Sequence, residues 1–324
     1  MCFYVILHRN RNIEGTIFME ISKAKGHSAM FGAELMWGAG APIGKLILAG
    51  GVGPMLLTDC RMIGAAVLFW LVSLFVPSEK VCPRDMLSLF FASLLGIVIN
   101  QCCFIAGLGL TSPINASIIT TSMPIVTMVL AAVVLKEPIT GMKLGGVFAG
   151  ALGALILIAG SGSAGSEGSW LGDLLIIAAQ CSFACYLVFY KSLISQYSAI
   201  TLMKWMFTYA SILVIPFTYT QWSMVDMYSL PTNILWSLVF FVVGPTFLSY
   251  LLLPMGQRNL RPTVTAMYNY VQPVVATAIA FAVTMGRFTI SNAVAVALVF
   301  TGVFLVTKSK SHAEMSELGQ GQSS

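Results

Sequence analysis

Charge is what this 324-residue chain has least of: Asp, Glu, Lys and Arg together make up 9% of it, against roughly 25% in an ordinary soluble domain. So few charges cannot cover the surface of a soluble fold of this length, which excludes a soluble enzyme and a disordered protein. Histidine is almost missing as well. His8, His27 and His312 all lie outside the apolar runs, so a haem b site or a histidine proton relay within a membrane is excluded. The seven cysteines (Cys2, Cys60, Cys82, Cys102, Cys103, Cys181 and Cys185) sit mostly inside apolar runs, where a thiol behaves as a small hydrophobe. Cys181 and Cys185 share a helix face, but no His or further Cys stands near them to complete a metal site. His-Glu-x-x-His, Gly-x-Ser-x-Gly, Gly-x-x-x-x-Gly-Lys-[Ser/Thr] and paired intramembrane aspartates are all absent, so no catalytic residue, metal, cofactor or nucleotide-driven pump is expected.

What is present is hydrocarbon: 57% of residues are hydrophobic and the mean hydropathy is +0.87. Runs of 18–25 mostly apolar residues, the length needed to cross a bilayer, fall at 28–49, 54–76, 86–110, 114–135, 142–160, 170–194, 200–221, 233–255, 262–285 and 290–307. The expected fold class is therefore an all-α integral membrane protein of ten transmembrane helices. Residues 1–27 read as a cytoplasmic N-terminal segment, 28–160 as a first five-helix repeat, 161–169 as a linker, 170–307 as a second repeat and 308–324 as a cytoplasmic tail. Residues 1–18 lack the basic start of a signal peptide, and Met19 offers a second start.

The net charge of +5 is no nucleic-acid footprint, because the basic residues fall in short segments between apolar runs. With the N-terminus cytoplasmic, fourteen of them (Arg9, Arg11, Lys23, Lys25, Lys80, Arg84, Lys136, Lys143, Lys191, Lys204, Arg258, Arg261, Lys308 and Lys310) lie on the inner side, against Arg287 alone outside. Lys45 and Arg61 are left within the membrane. That asymmetry predicts both termini on the cytoplasmic side.

Pro124 and Pro273 are separated by 273 − 124 = 149 residues, and the same offset aligns Gly107 with Gly256, Pro113 with Pro262, Thr140 with Thr289 and Gly153 with Gly302. Lys45 and Lys191 differ by 146. Each repeat holds an odd number of helices, so the second enters the membrane inverted relative to the first, a 5+5 arrangement in which transporters place their ligand at the repeat interface.

The stretch Gln101…Gly107-Leu108-Gly109-Leu110-Thr111-Ser112-Pro113-Ile114-Asn115-Ala116…Pro124…Leu135-Lys136-Glu137-Pro138-Ile139-Thr140…Gly145…Gly150…Gly153 resembles the EamA repeat of the drug/metabolite transporter superfamily. Trp37-Gly38 and Arg61 fit the same pattern, and the resemblance spans about residues 28–307. It implies a ten-helix bundle moving small polar metabolites, often amino acids or related compounds, across a bacterial plasma (inner) membrane. One departure stands out: Gly286 occupies the position equivalent to Glu137, where the family commonly keeps a Glu.

Polar groups inside hydrocarbon are expensive and mark candidate sites. Glu34, Gly38, Ala41 and Lys45 share one face of the first helix, and Gly38-Ala39-Gly40-Ala41-Pro42-Ile43-Gly44 predicts either a break lining a cavity or close helix packing. Glu34 has no cation near it in sequence and is the candidate coupling group, with anchoring at the interface as the alternative. Lys45 and Asp59 lie at equal depth, about 10 Å from the turn between them, as a structural ion pair. Tyr268, Asn269 and Gln272 crowd before Pro273; with Trp37, Gln101, Asn115 and Tyr186 they form a candidate substrate-binding set, a lining of amides and aromatics suited to a zwitterionic or polar organic solute. Gly146/Gly150 and Ala293/Ala297 fit small-x-x-x-small spacing, for packing within the bundle or across a homodimer. The expected partners are a small-molecule substrate and the lipid bilayer. A secondary transporter is the leading expectation; an intramembrane enzyme and a lipid-handling or receptor protein are the alternatives.

Overall fold

The computed structural model describes residues 2–111, 113–160, 169–222, 230–284 and 290–309, and among them every regular element is helical. In chain order these are α1 (Cys2–Ala49), α2 (Pro54–Ser73), α3 (Pro83–Ser93), α4 (Asn100–Leu110), α5 (Pro113–Thr120), α6 (Met123–Val134), α7 (Gly141–Gly160) and α8 (Trp170–Phe189). They are followed by α9 (Lys191–Gln196), α10 (Ala199–Trp222), α11 (Thr232–Phe241), α12 (Ser249–Asn259), α13 (Pro262–Met267), α14 (Val271–Thr284) and α15 (Ile290–Lys308). A π turn at Leu94–Ile99 joins α3 to α4, and a second at Val242–Leu248 joins α11 to α12. Proline at the first turn opens α2, α3, α6 and α13, where its missing N–H costs nothing.

Among the described residues, seven helical stretches are long and apolar enough to cross a membrane: Pro54–Ser73, Pro83–Gly107, Gly141–Ala159, Trp170–Phe189, Ala199–Thr218, Thr232–Asn259 and Ile290–Lys308; Ile118–Val134 is a shorter apolar helix. The chain is therefore a multi-pass membrane protein. Its order of elements repeats: α3, π turn and α4 recur as α11, π turn and α12 at an offset of 232 − 83 = 149 residues.

The structure differs from the sequence expectation in the first helix. α1 runs unbroken for 48 residues with Pro42 inside it, about 72 Å at 1.5 Å per residue, so it starts far ahead of residue 28 and extends beyond a hydrocarbon layer of about 30 Å. Pro42 removes only the bond to the Gly38 carbonyl, and the helix continues past it. The small residues serve close packing instead. A Cβ on Gly38 would lie 2.7 Å from Val275 Cβ, and one on Gly40 would lie 3.0 Å from the Pro245 ring.

α7 packs along α15, α2 along α10, α4 along α8, and α1 against α12 and α14. Small residues set the closest crossings. A Cβ on Gly302 would lie 2.6 Å from the Gly146 carbonyl oxygen, and one on Gly150 would lie 2.5 Å from the Tyr270 ring. Gly146 and Gly150 are thus used within the bundle, whereas Ala293 and Ala297 are exposed.

Candidate functional site

Two proline-broken helices build the site. Pro124 has no N–H for the Thr120 carbonyl, and its ring crowds that oxygen; the chain turns at 121–122 between α5 and α6. The carbonyls left free find donors on the other broken helix: Asn269 Nδ2 donates to the Thr120 oxygen at 3.4 Å and Tyr270 Oη to the Thr121 oxygen at 3.0 Å, each pair 149 residues apart. Pro273 acts in the same way on Asn269, four residues before it, and the helix tightens to a 3-10 turn at Tyr268–Tyr270 between α13 and α14. That turn aims Asn269 at α5 and leaves Gln272 facing α1.

Glu34 of α1 is 2% exposed. Its Oε2 accepts from Gln272 Nε2 at 2.7 Å, and Gln272 Nε2 also donates to Asn269 Oδ1 at 2.8 Å. Seven residues earlier on α1, His27 Nδ1 lies 2.7 Å from Tyr268 Oη, so α1 is tied both to the 3-10 turn and to the start of α14. Among the described residues no cation lies within salt-bridge distance of Glu34.

A second polar cluster surrounds Arg61 of α2. Its Nη1 donates to Gln101 Oε1 at 2.9 Å and its Nε to Thr246 Oγ1 at 3.0 Å, while the guanidinium lies 5.2 Å from the Phe241 ring centroid. Thr246 Oγ1 donates in turn to the Phe241 carbonyl at 3.0 Å, the oxygen to which Pro245 offers no N–H. Gln101 Nε2 donates to Asn100 Oδ1 at 3.1 Å and to Tyr250 Oη at 3.4 Å. The Tyr250 ring meets Trp37 edge-on at 5.6 Å. Trp37 stands one turn from Glu34 on α1, so the aromatic pair runs from the buried Glu34 cluster to the Gln101 amide that holds the partly buried Arg61. Among the described residues no carboxylate lies within salt-bridge distance of Arg61.

The residues expected from the sequence thus divide. Glu34, Asn269 and Gln272 meet in one cluster, with Tyr268 on His27 beside it, and Trp37 and Gln101 meet in the other. Tyr186 joins neither: it is buried beneath Gly96, where a Cβ would come within 2.8 Å of its ring, and its Oη donates to Gln257 Oε1 at 3.2 Å. The side chains of Asn115 and Lys45, and Gly286 with its loop, lie outside the described residues. Asp59 is buried and accepts from Trp222 Nε1 at 3.0 Å. Lys191, aligned with Lys45 by the repeat, donates from Nζ to the Gln257 carbonyl, to that of Arg258 at 3.3 Å and to that of Leu260 at 2.7 Å, capping the carbonyl end of α12. Glu137 Oε2 accepts from Lys143 Nζ at 2.9 Å and from Thr263 Oγ1 at 3.0 Å. Lys136, left-handed at φ 54°, ends α6 and turns Glu137 toward those partners. Thr246 and Tyr250 were missed in the sequence; the signal for Tyr250 was its spacing of 149 residues from Gln101.

Long apolar helices around a buried acid, a partly buried base and their amide partners define a polytopic membrane protein with a polar interior, the architecture of a membrane transporter. The chain belongs to the EamA-like transporter family, which matches residues 24–159 and 170–308. The transporter YetK of Bacillus subtilis, described as uncharacterized, is 25% identical over 280 residues, 84% of each chain. An uncharacterized transporter of Archaeoglobus fulgidus is 26% identical over 200 residues, 62% of this chain and 69% of its own. A protein of known crystal structure has the same fold, with a TM-score of 0.73 at 16% identity over 88% of this chain and 98% of the other.

Proposed function

We propose that the chain is a secondary transporter for a small zwitterionic organic solute, an amino acid or related compound, moved across the plasma membrane by alternating access with Glu34 as the proton-coupling group. The observation that carries this is the pair of ionisable groups Glu34, buried, and Arg61, partly buried, each bound by an amide and neither matched by an opposite charge among the described residues, with Trp37 one turn from the first and Tyr250 on the amide that holds the second. An ammonium would complement Glu34 and a carboxylate Arg61, with the aromatic pair covering the carbon skeleton. An uncompensated carboxylate in a dry interior carries a large desolvation cost, which either a proton or a cationic group relieves. Exchange of one for the other would couple solute to proton.

The same fold supports ten spans in a 5+5 inverted repeat. Residues 149 apart touch one another at Gln101–Tyr250, Thr120–Asn269 and Thr121–Tyr270, as expected where a two-fold axis relates two halves. The distribution of Lys and Arg supports cytoplasmic termini.

Thermal stabilisation of the purified protein across a panel of amino acids and related solutes should find the ligand class. Proteoliposomes should then accumulate that solute saturably against its gradient when a pH difference is imposed. Glu34→Gln should abolish uphill accumulation and keep solute exchange. If the variant still concentrates solute under the pH difference, Glu34 does not couple transport to protons.

A further inference from the structure

α2 and α10 run antiparallel, since Trp70 bonds to Thr208 while Asp59 bonds to Trp222 at the far end. Between them an open groove of about 540 Å³ runs along the outside of the bundle, walled by Ile63, Val67, Leu71, Leu74, Ile212 and Ile215. Its hydroxyls are turned away: Thr208 Oγ1 donates to the Lys204 carbonyl at 2.7 Å and Ser211 Oγ to that of Phe207 at 2.8 Å. Both helices are membrane-crossing by length and composition, so the wall faces acyl chains.

One end of the groove carries charge. Trp70 Nε1 donates to Thr208 Oγ1 at 2.9 Å, which fixes its ring edge-on to Trp205 at 5.5 Å. The Lys204 ammonium lies 4.6 Å from the Trp70 ring centroid and 5.8 Å from that of Trp205, within cation–π range of both. Among the described residues no acceptor and no carboxylate lies within bonding distance of this ammonium. Glu79, near the start of α10, is taken up by the N–H and hydroxyl of Ser198 at 3.0 and 2.8 Å. Tryptophan with lysine at a helix end marks headgroup depth. A positioned cation with free N–H donors above an apolar furrow matches the two parts of a phospholipid, and with no acid at the cage a net negative headgroup is favoured over a zwitterionic one.

We infer that the α2–α10 groove binds one anionic phospholipid, with an acyl chain along Ile63–Leu74 and Ile212–Ile215 and the phosphate on Lys204. This site is separate from the polar interior and does not depend on the transport reading.

Delipidated protein in neutral detergent, titrated with phosphatidylglycerol or phosphatidylcholine and followed by native mass spectrometry and thermal unfolding, tests it. One phosphatidylglycerol should be retained in preference to phosphatidylcholine. Lys204→Gln should weaken that retention roughly fivefold, and Lys204→Arg should restore it. Ile212→Trp, at a position 63% exposed on the lipid face, should fill the furrow, remove the lipid and leave the melting point of the lipid-free protein unchanged. Equal retention of the two lipids, unchanged affinity in Lys204→Gln, or an equal thermal shift from inorganic phosphate alone would each overturn the inference.

Discussion

The side-chain amide of Gln272 reaches across 238 residues of sequence to donate to Glu34 Oε2 at 2.7 Å, and that bond is the only one described for a carboxylate 2% exposed. Removing the donor leaves a buried acceptor unsatisfied, which costs about 1–3 kcal/mol and more when the acceptor is charged. Gln272→Leu should therefore destabilise the protein more than Glu34→Gln, and Glu34→Leu combined with Gln272→Leu should recover part of the loss. Chemical unfolding in detergent measures this as a double-mutant cycle. Strictly additive losses would mean that the bond contributes nothing to stability.

Glu137 and Lys143 form a buried ion pair, with side-chain exposures of 10% and 1%. Breaking such a pair by removing one partner typically costs about 3–5 kcal/mol, while replacing both with apolar groups is often close to neutral. Lys143→Met should sharply lower expression and melting temperature, and Glu137→Leu/Lys143→Met should recover most of both. Thr263, which also donates to Glu137, would retain its hydroxyl in either background. A double variant no better than Lys143→Met would show that packing at this corner, rather than charge, is what fails.

Much of this was legible in the sequence, for reasons that can be traced to residues. The spacing between Pro124 and Pro273 is a backbone property, and the helix breaks at Pro124 where the carbonyls it frees are bonded by Asn269 and Tyr270 of the other half. At Pro42, where the sequence left a break and close packing open, the helix persists despite the missing bond. Proline content alone does not distinguish the two cases; the difference lies in Asn269 and Tyr270, which wait 149 residues away. Glu34 and Gln272 stood out because polar atoms in hydrocarbon need partners, yet nothing local in the sequence tied them to each other. Tyr186 stands apart from both clusters for the converse reason: its partner Gln257 satisfies it inside the packing.

The proposed topology makes opposite demands on two exposed positions. Lys23, on the part of α1 before residue 28, and Asn233, at the start of α11, are both exposed and would lie on opposite faces of the membrane. In a background without native cysteines, Asn233→Cys should react with a membrane-impermeant thiol reagent in intact cells, and Lys23→Cys only after permeabilisation. Labelling of both from outside would rule out the 5+5 arrangement with cytoplasmic termini.

The crossing of α7 and α15 depends on the absence of side chains at two points. A Cβ on Gly302 would sit 2.6 Å from the Gly146 oxygen and 2.6 Å from the Gly150 nitrogen, and a Cβ on Gly146 would sit 2.8 Å from the Gly302 oxygen. These neighbours are backbone atoms of a packed helix, so no rotamer change relieves the overlap. Overpacking that side chains can absorb costs about 1–3 kcal/mol; backbone contact at these distances should exceed that. Gly302→Val should separate the two helices, with loss of monodisperse protein on gel filtration. Gly145, one residue from the crossing, is the control, because a Cβ added there would meet no atom within 4 Å. Gly145→Ala should express and melt like the wild type, or slightly higher, since alanine favours a helix by about 1 kcal/mol over glycine. A well-folded Gly302→Val protein would show that α7 and α15 can part without cost, and that the close crossing is not what joins these two helices.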